Sequence, residues 1–188
     1  MTLLRFDRVA CLRGGRLLFE DLSFLLEPGA AMVVTGPNGC GKSSLMRVAA
    51  GLLPAAAGKV EAAPAALADD SLALDRELPL RRALRFWAKL DGGEARLDGA
   101  MDAFGLAHLA DVPVRMLSTG QQRRARLARV QAAGASLWLL DEPLNGLDTA
   151  GAELLGAVIA QHRQSGGAVL AASHLDLPGG AWQGLELA

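Results

Sequence analysis

The segment that most constrains this chain is Gly36-Pro37-Asn38-Gly39-Cys40-Gly41-Lys42-Ser43, which matches GxxxxGK[ST] in full. It follows an apolar run, Ala30 to Thr35, that reads as a strand, and it precedes a helix predicted from Lys42 to about Gly51. Successive backbone N–H groups can curl around a phosphate only where no Cβ obstructs them, and the N-terminus of the following helix adds partial positive charge. Lys42 is placed to reach the β- and γ-phosphates, and the Ser43 hydroxyl to meet Mg2+. The segment from Gly36 to Ser43, with Ser44 beside it, is therefore expected to hold a nucleoside triphosphate.

A loop of this kind needs an acidic partner for the metal. Leu137-Trp138-Leu139-Leu140 is an apolar run ending in Asp141-Glu142. In a parallel sheet the loops at the carboxyl ends of the strands share one edge, so Asp141 can face the phosphate loop although it is distant in sequence. Asp141 is expected to hold Mg2+, and Glu142, a second carboxylate beside the γ-phosphate, to polarise an attacking water.

The remaining chain reads as an α/β protein with a helical insert. Strands are expected over Leu3 to Cys11, Leu22 to Leu26, Lys59 to Ala63, Ala168 to Ser173 and Trp182 to Leu187, with turns at Gly14-Gly15 and Pro28-Gly29. The alanine-rich stretch running to Leu74 carries no clear period. Between Leu78 and Gly134 the period becomes helical, with Leu80, Leu84 and Trp87, then Leu97, Met101 and Phe104, three or four apart, and a further helix is predicted over Thr149 to Gln164. A chain of 188 residues makes one domain. Its expected nucleotide-binding core is 1–75 and 137–188, with a helical subdomain at about 76–136. Aromatics supply only 4% of residues, so the core must be aliphatic and small.

Charge and apolar runs exclude other classes. A net charge of -1 argues against a protein held to nucleic acid or anionic lipid by its overall field. No apolar run approaches the ~18 residues of a membrane span, and the first residues lack the continuous apolar stretch of a signal peptide, so a cytosolic chain is expected. Cys11 and Cys40 lie apart with no CxxC spacing and read as ordinary thiols. Leu117-Ser118-Thr119-Gly120-Gln121 contains an S-x-x-Q capping box and opens a helix carrying Arg123, Arg124, Arg126 and Arg129, which read as a solvated face.

Phosphate loop, helical insert, LSTGQ, then an apolar strand ending in Asp-Glu: this order resembles the ATP-binding-cassette (ABC) ATPases, with LSTGQ close to the LSGGQ signature. The resemblance implies a P-loop NTPase of the ABC ATPase fold, with a mixed or parallel sheet core and a helical subdomain insert. It implies a head-to-tail homodimer in which Ser118, Gly120 and Gln121 cap the nucleotide of a second copy. Asp148, in Pro143-Leu144-Asn145-Gly146-Leu147-Asp148, would cross the interface, and His174, after Ser173, would be the switch histidine that bonds the γ-phosphate. His108 and His162 carry no such support. With Lys42 and Glu142, His174 completes the implied catalytic set, and ATP with Mg2+ the implied ligands. The chain departs from the family twice. It has no Tyr, so Arg13 or Arg16 would stack on the adenine where the family uses an aromatic. Asp70, in Leu67-Ala68-Asp69-Asp70-Ser71, aligns with the family's glutamine and would join Ser43 and Asp141 around Mg2+.

Leu84-Arg85-Phe86-Trp87-Ala88, Leu117 to Arg124, Pro143 to Asp148, and Gly166 to Leu170 leading into Ser173-His174 are similar to the ATP-binding subunits of the haem exporter of cytochrome c biogenesis, the CcmA type. That resemblance implies peripheral association with the cytoplasmic face of a bacterial inner membrane through subunits of the CcmB and CcmC kind, with Phe86 and Trp87 candidate anchors and Trp87 also readable as core. The ATPase of another small ABC exporter, or a nucleotide-gated scaffold outside transport, are the alternatives.

Overall fold

A computed structural model describes residues 2–69 and 74–187 of the chain. The strands β1 (Leu4–Arg13) and β2 (Arg16–Leu26) form an antiparallel hairpin turning at Gly14-Gly15. β3 (Ala31–Thr35) leads through the glycine loop into helix α1 (Lys42–Ala49). β4 (Ala57–Ala62) pairs with the free side of β1 and closes a three-stranded antiparallel sheet of order β2-β1-β4. β5 (Ala65–Ala68) follows, then α2 (Leu80–Leu90), α3 (Leu97–Ala103) and α4 (Thr119–Ala133). β6 (Leu137–Asp141), α5 (Thr149–Gln164), β7 (Ala168–Ala172) and β8 (Gln183–Glu186) complete the described chain.

The second sheet is parallel, five-stranded, and ordered β5-β6-β7-β3-β8. Two expectations change. β2 begins at Arg16 rather than Leu22, because Arg13 pairs with Arg16 and Leu12 with Leu17 across the Gly-Gly turn. The alanine-rich stretch without a legible period contains β5, which pairs in register with β6 from Ala65 opposite Leu137 to Ala68 opposite Leu140.

Side chains of the parallel sheet divide with a period of two. Trp138, Leu140, Val169 and Ala171 face one cluster, shared with Leu80, Leu84, Leu97, Met101 and Phe104 of the insert. Leu137, Leu139, Ala168 and Leu170 face the other, shared with α1 and with β1 of the antiparallel sheet. Every residue of β7 is buried, as a central strand covered on both faces must be.

This strand order creates the site. β7 lies between β3 and β6, so the loops after β3 and β6 stand one strand apart, about 10 Å, at the same carboxyl edge. That gap suits a phosphate, and the residue after β7 falls into the middle of it.

Candidate functional site

Glycine is required at two points of the loop. At Gly36, with φ +139°, a Cβ would stand 2.3 Å from the Leu187 carbonyl oxygen. At Gly41, with φ +117°, it would meet the Leu18 Cβ at 3.1 Å and the Phe19 ring at 3.2 Å. The Cys40 side chain is buried in the core below. Lys42 is also buried, yet its Nζ donates to the carbonyls of Gly36 (2.7 Å) and Pro37 (3.1 Å), which keeps the ammonium within the loop. No side chain caps the start of α1 and no acidic residue occupies its first turn, so the helix terminus presents positive potential there.

Beside the loop lies a cavity of about 350 Å3. Asn38, Gly39, Gly41, Lys42, Ser43 and Ser44 line one side, Asp141 and Glu142 the other, and Arg13 and Leu18 of the β1–β2 hairpin lie along its edge. Phosphate-loop residues and the two carboxylates, about a hundred residues apart in sequence, thus share one space, as open parallel sheets allow. The donors fit the expected groups. One serine hydroxyl and one carboxylate at Ser43 and Asp141 offer hard oxygen ligands, and Mg2+ takes few protein ligands beside phosphates and water.

Glu142 has φ +47°, rare for a residue with a side chain. Its N–H donates to the Ala172 carbonyl at 2.9 Å, and its carbonyl accepts from the Asn145 N–H at 3.1 Å. Pro143 follows, which disfavours the right-handed helical region at Glu142 and so leaves the chain to turn sharply out of β6. Immediately beyond β7, Ser173 Oγ accepts from the Leu175 N–H (3.0 Å) and donates to the Leu175 carbonyl (2.8 Å), a local turn that carries His174 outward. His174 Nε2 lies 3.1 Å from Asn38 Oδ1 and 3.5 Å from Glu142 Oε1. Both neighbours are acceptors, which selects the tautomer with the proton on Nε2. His174 therefore meets the loop and the carboxylate at one point.

Ser118 Oγ accepts from the Gln121 N–H at 3.2 Å, and Gln121 Oε1 accepts from the Ser118 N–H at 2.8 Å, so the capping box is complete. Ser118, Gly120 and Gln121 do not line the cavity of their own chain. Asp148 caps α5, its Oδ1 accepting from the Gly151 N–H at 2.8 Å, and is exposed. Asp70 lies outside the described residues. Arg13 lines the cavity, and Arg16 does not.

The arginines of α4 correct an expectation. They do not form a solvated face: Arg123 is 4% exposed, and Arg124, Arg126 and Arg129 are partly buried. Arg123 Nη2 donates to the carbonyls of Asp141 (2.8 Å) and Glu142. Arg124 donates to the Phe104 carbonyl at 3.1 Å. Arg129 reaches Asp91 Oδ2 at 3.1 Å and sits 4.6 Å above the Trp87 ring. Arg123 is the residue of the site that sequence reasoning missed. The available signal was the company it keeps: Ala125, Leu127, Ala128, Val130 and Ala132 are buried, so an arginine on this helix has little solvent to reach.

Comparison with known proteins bears on the family and the fold. The family model described as ABC transporter matches residues 19–145. The Cytochrome c biogenesis ATP-binding export protein CcmA of Sphingopyxis alaskensis is 59% identical over 94% of this chain and 92% of its own length. The protein of the same description from Zymomonas mobilis is 51% identical over 96% of this chain and 78% of its own. A solved structure of the ATP-binding subunit of an ABC transporter superposes with a TM-score of 0.82, covering 93% of this chain and 80% of that one at 22% identity, which supports the fold.

Proposed function

The chain belongs to the ABC transporter family and, within it, to the cytochrome c biogenesis ATP-binding export proteins of the CcmA kind, and on that premise we propose that it drives a haem exporter serving c-type cytochrome maturation. It is an ABC-type ATPase, converting ATP and water to ADP and phosphate. The observation that carries the proposal is the single cavity in which Lys42 and Ser43 face Asp141 and Glu142, with His174 joined to Asn38 beside it.

The loop from Gly36 to Ser44 and the α1 terminus hold the phosphates by backbone N–H groups, and Lys42 adds its ammonium. Ser43 and Asp141, with Asp70, would hold Mg2+, which when bound neutralises charge on the terminal phosphates. Glu142 orients the water and accepts its proton. His174 donates from Nε2 to the γ-phosphate, and its bond to Asn38 presets that orientation. Arg13 and Leu18 give the base a ledge to lie against. The reading keeps one ABC ATP-binding domain, with core 1–75 and 137–188 and a helical subdomain at about 76–136.

Ser118, Gly120, Gln121 and Asp148 act on a second copy. Their placement outside their own cavity supports a head-to-tail homodimer with composite sites. Membrane subunits of the CcmB and CcmC kind dock on α2, where Phe86 (59% exposed) and Leu90 (65%) stand one helical turn apart. Trp87, packed against the core and bridged by Arg129, supports that helix from behind. No described helix is long and apolar enough to cross a membrane, which accords with peripheral attachment at the cytoplasmic face of the inner membrane. Nucleic acid is not a partner in this reading, since three of the α4 arginines are engaged within the chain.

Glu142→Gln tests the proposal. In the chain assembled with its membrane subunits, the variant keeps ATP affinity and loses hydrolysis by about 100-fold or more. Wild-type turnover no faster than that of Glu142→Gln refutes the enzyme assignment.

A further inference from the structure

We propose that Arg123 is a positioning residue for Glu142, tying the helix that begins at Ser118 to the carboxylate that handles water; this rests on the ATPase reading above. A guanidinium that is 4% exposed has given up most of its hydration and must recover it from acceptors. Arg123 finds two in succession, the carbonyls of Asp141, at 2.8 Å, and Glu142. Both belong to the turn that sets where the Asp141 and Glu142 side chains point. Hydrogen bonds from a charged donor to buried carbonyls are among the stronger ones available to a backbone.

The turn needs such support. Glu142 is left-handed at φ +47°, a conformation held only where the surroundings impose it. The Ala172 carbonyl fixes its N–H from β7, and the Asn145 N–H fixes its carbonyl from the following loop. Arg123 supplies the third restraint, and it alone of these three comes from the helical insert. The direction of the Glu142 side chain follows from this backbone, and with it the carboxylate's place 3.5 Å from His174.

Arg123 stands five residues after the cap Ser118 on a helix that runs unbroken to Ala133. A shift of α4 along or about its axis moves the guanidinium and bears directly on both carbonyls. Engagement of the Ser118 end by a second copy's nucleotide is thereby reported to Glu142 of the same chain, through one side chain. Both bonds leave from Nη2, so one guanidinium nitrogen bridges the two adjacent carbonyls, and the planar, delocalised group holds that nitrogen in a fixed direction, where a lysine ammonium swings on a flexible stem.

The experiment uses the full chain assembled with its membrane subunits, comparing Arg123→Met, Arg123→Lys and Arg124→Met, which removes only the tie to Phe104. Arg123→Met lowers kcat by about 10- to 100-fold, the scale of a catalytic group displaced by a fraction of an ångström to one, with KM for ATP within about 3-fold. Arg123→Lys recovers part of the loss, and Arg124→Met keeps the wild-type kcat. In single-turnover assays, adding Arg123→Met to Glu142→Gln causes little further loss, because both act on one group. Should Arg123→Met fail to fold, a lower kcat at unchanged KM in Arg123→Lys supports the proposal in its place, and a wild-type kcat there overturns it. Wild-type kcat in both Arg123 variants, or a loss that adds fully to that of Glu142→Gln, overturns the proposal while leaving the ATPase reading intact. A wild-type protein without turnover overturns both.

Discussion

His162 shows what burial does to one residue in a chain whose overall charge is nearly balanced. Its ring stacks on Trp138 with centroids 3.9 Å apart, on the side of the fold away from the phosphate loop. Burial holds its pKa below the ordinary histidine value, partly opposed by the carbonyls of Ala168 and Ser136. The sign of the consequence follows. The unfolded chain takes up the proton first as pH falls through about 6.5, so His162 contributes full stability above that value and loses it as pH drops toward the lowered native one. Thermal melts between about pH 7.5 and 5.5 should show Tm falling on the acid side, and His162→Gln should flatten the fall. An unchanged slope would show that other groups set it. At this scale the phosphate loop was legible because its chemistry is local: eight consecutive residues state it. Arg123 was not, because its acceptors are main-chain carbonyls, which every residue has and no side-chain pattern reveals.

Helix α4 is held at both ends by different devices. Ser118 and Gln121 satisfy its first turn reciprocally, and Gly134 ends it at φ +68°. Arg96 then reaches across from the insert and donates to the last carbonyls, Ala132 at 2.9 Å and Ala133 at 2.7 Å. Replacing Arg96 by Met should cost about 1 kcal/mol of unfolding free energy, comparable to the loss of an N-cap by Ser118→Ala. Only the second change should depress hydrolysis per folded molecule, a contrast that denaturant titration and phosphate-release assays on the same preparations would measure. Equal depression by both would mean that hydrolysis depends on helix stability alone. The capping box and α5 were readable from sequence, since cap chemistry and period coincide there. β5 was not. Ala65 to Ala68 offers neither alternation nor β-branching, and its strand geometry comes from pairing with β6, a tertiary cause that outweighs weak local preference.

At the level of the molecule, the parallel sheet divides the core in two and gathers the phosphate loop, Asp141, Glu142 and His174 at one edge, while the Ser118 turn, exposed, lines none of that cavity. A cavity lined on two sides and a helix terminus with an anion to meet are complementary surfaces, and a two-fold arrangement satisfies both twice over. In the proposed dimer, nucleotide would shift the balance between separate and joined copies, because only the joined state would bring Ser118 to a second copy's phosphates. Glu142→Gln saturated with ATP and Mg2+ should therefore run at twice the monomer mass in light scattering, and return to the monomer with ADP. Adding Ser118→Arg should keep nucleotide binding, measured by equilibrium titration, and abolish the dimer, since a bulky side chain occupies the capping position. A dimer that persists in the double variant would place the contact elsewhere on the surface. Monomers alone in Glu142→Gln would leave the Ser118 turn without the role its position suggests.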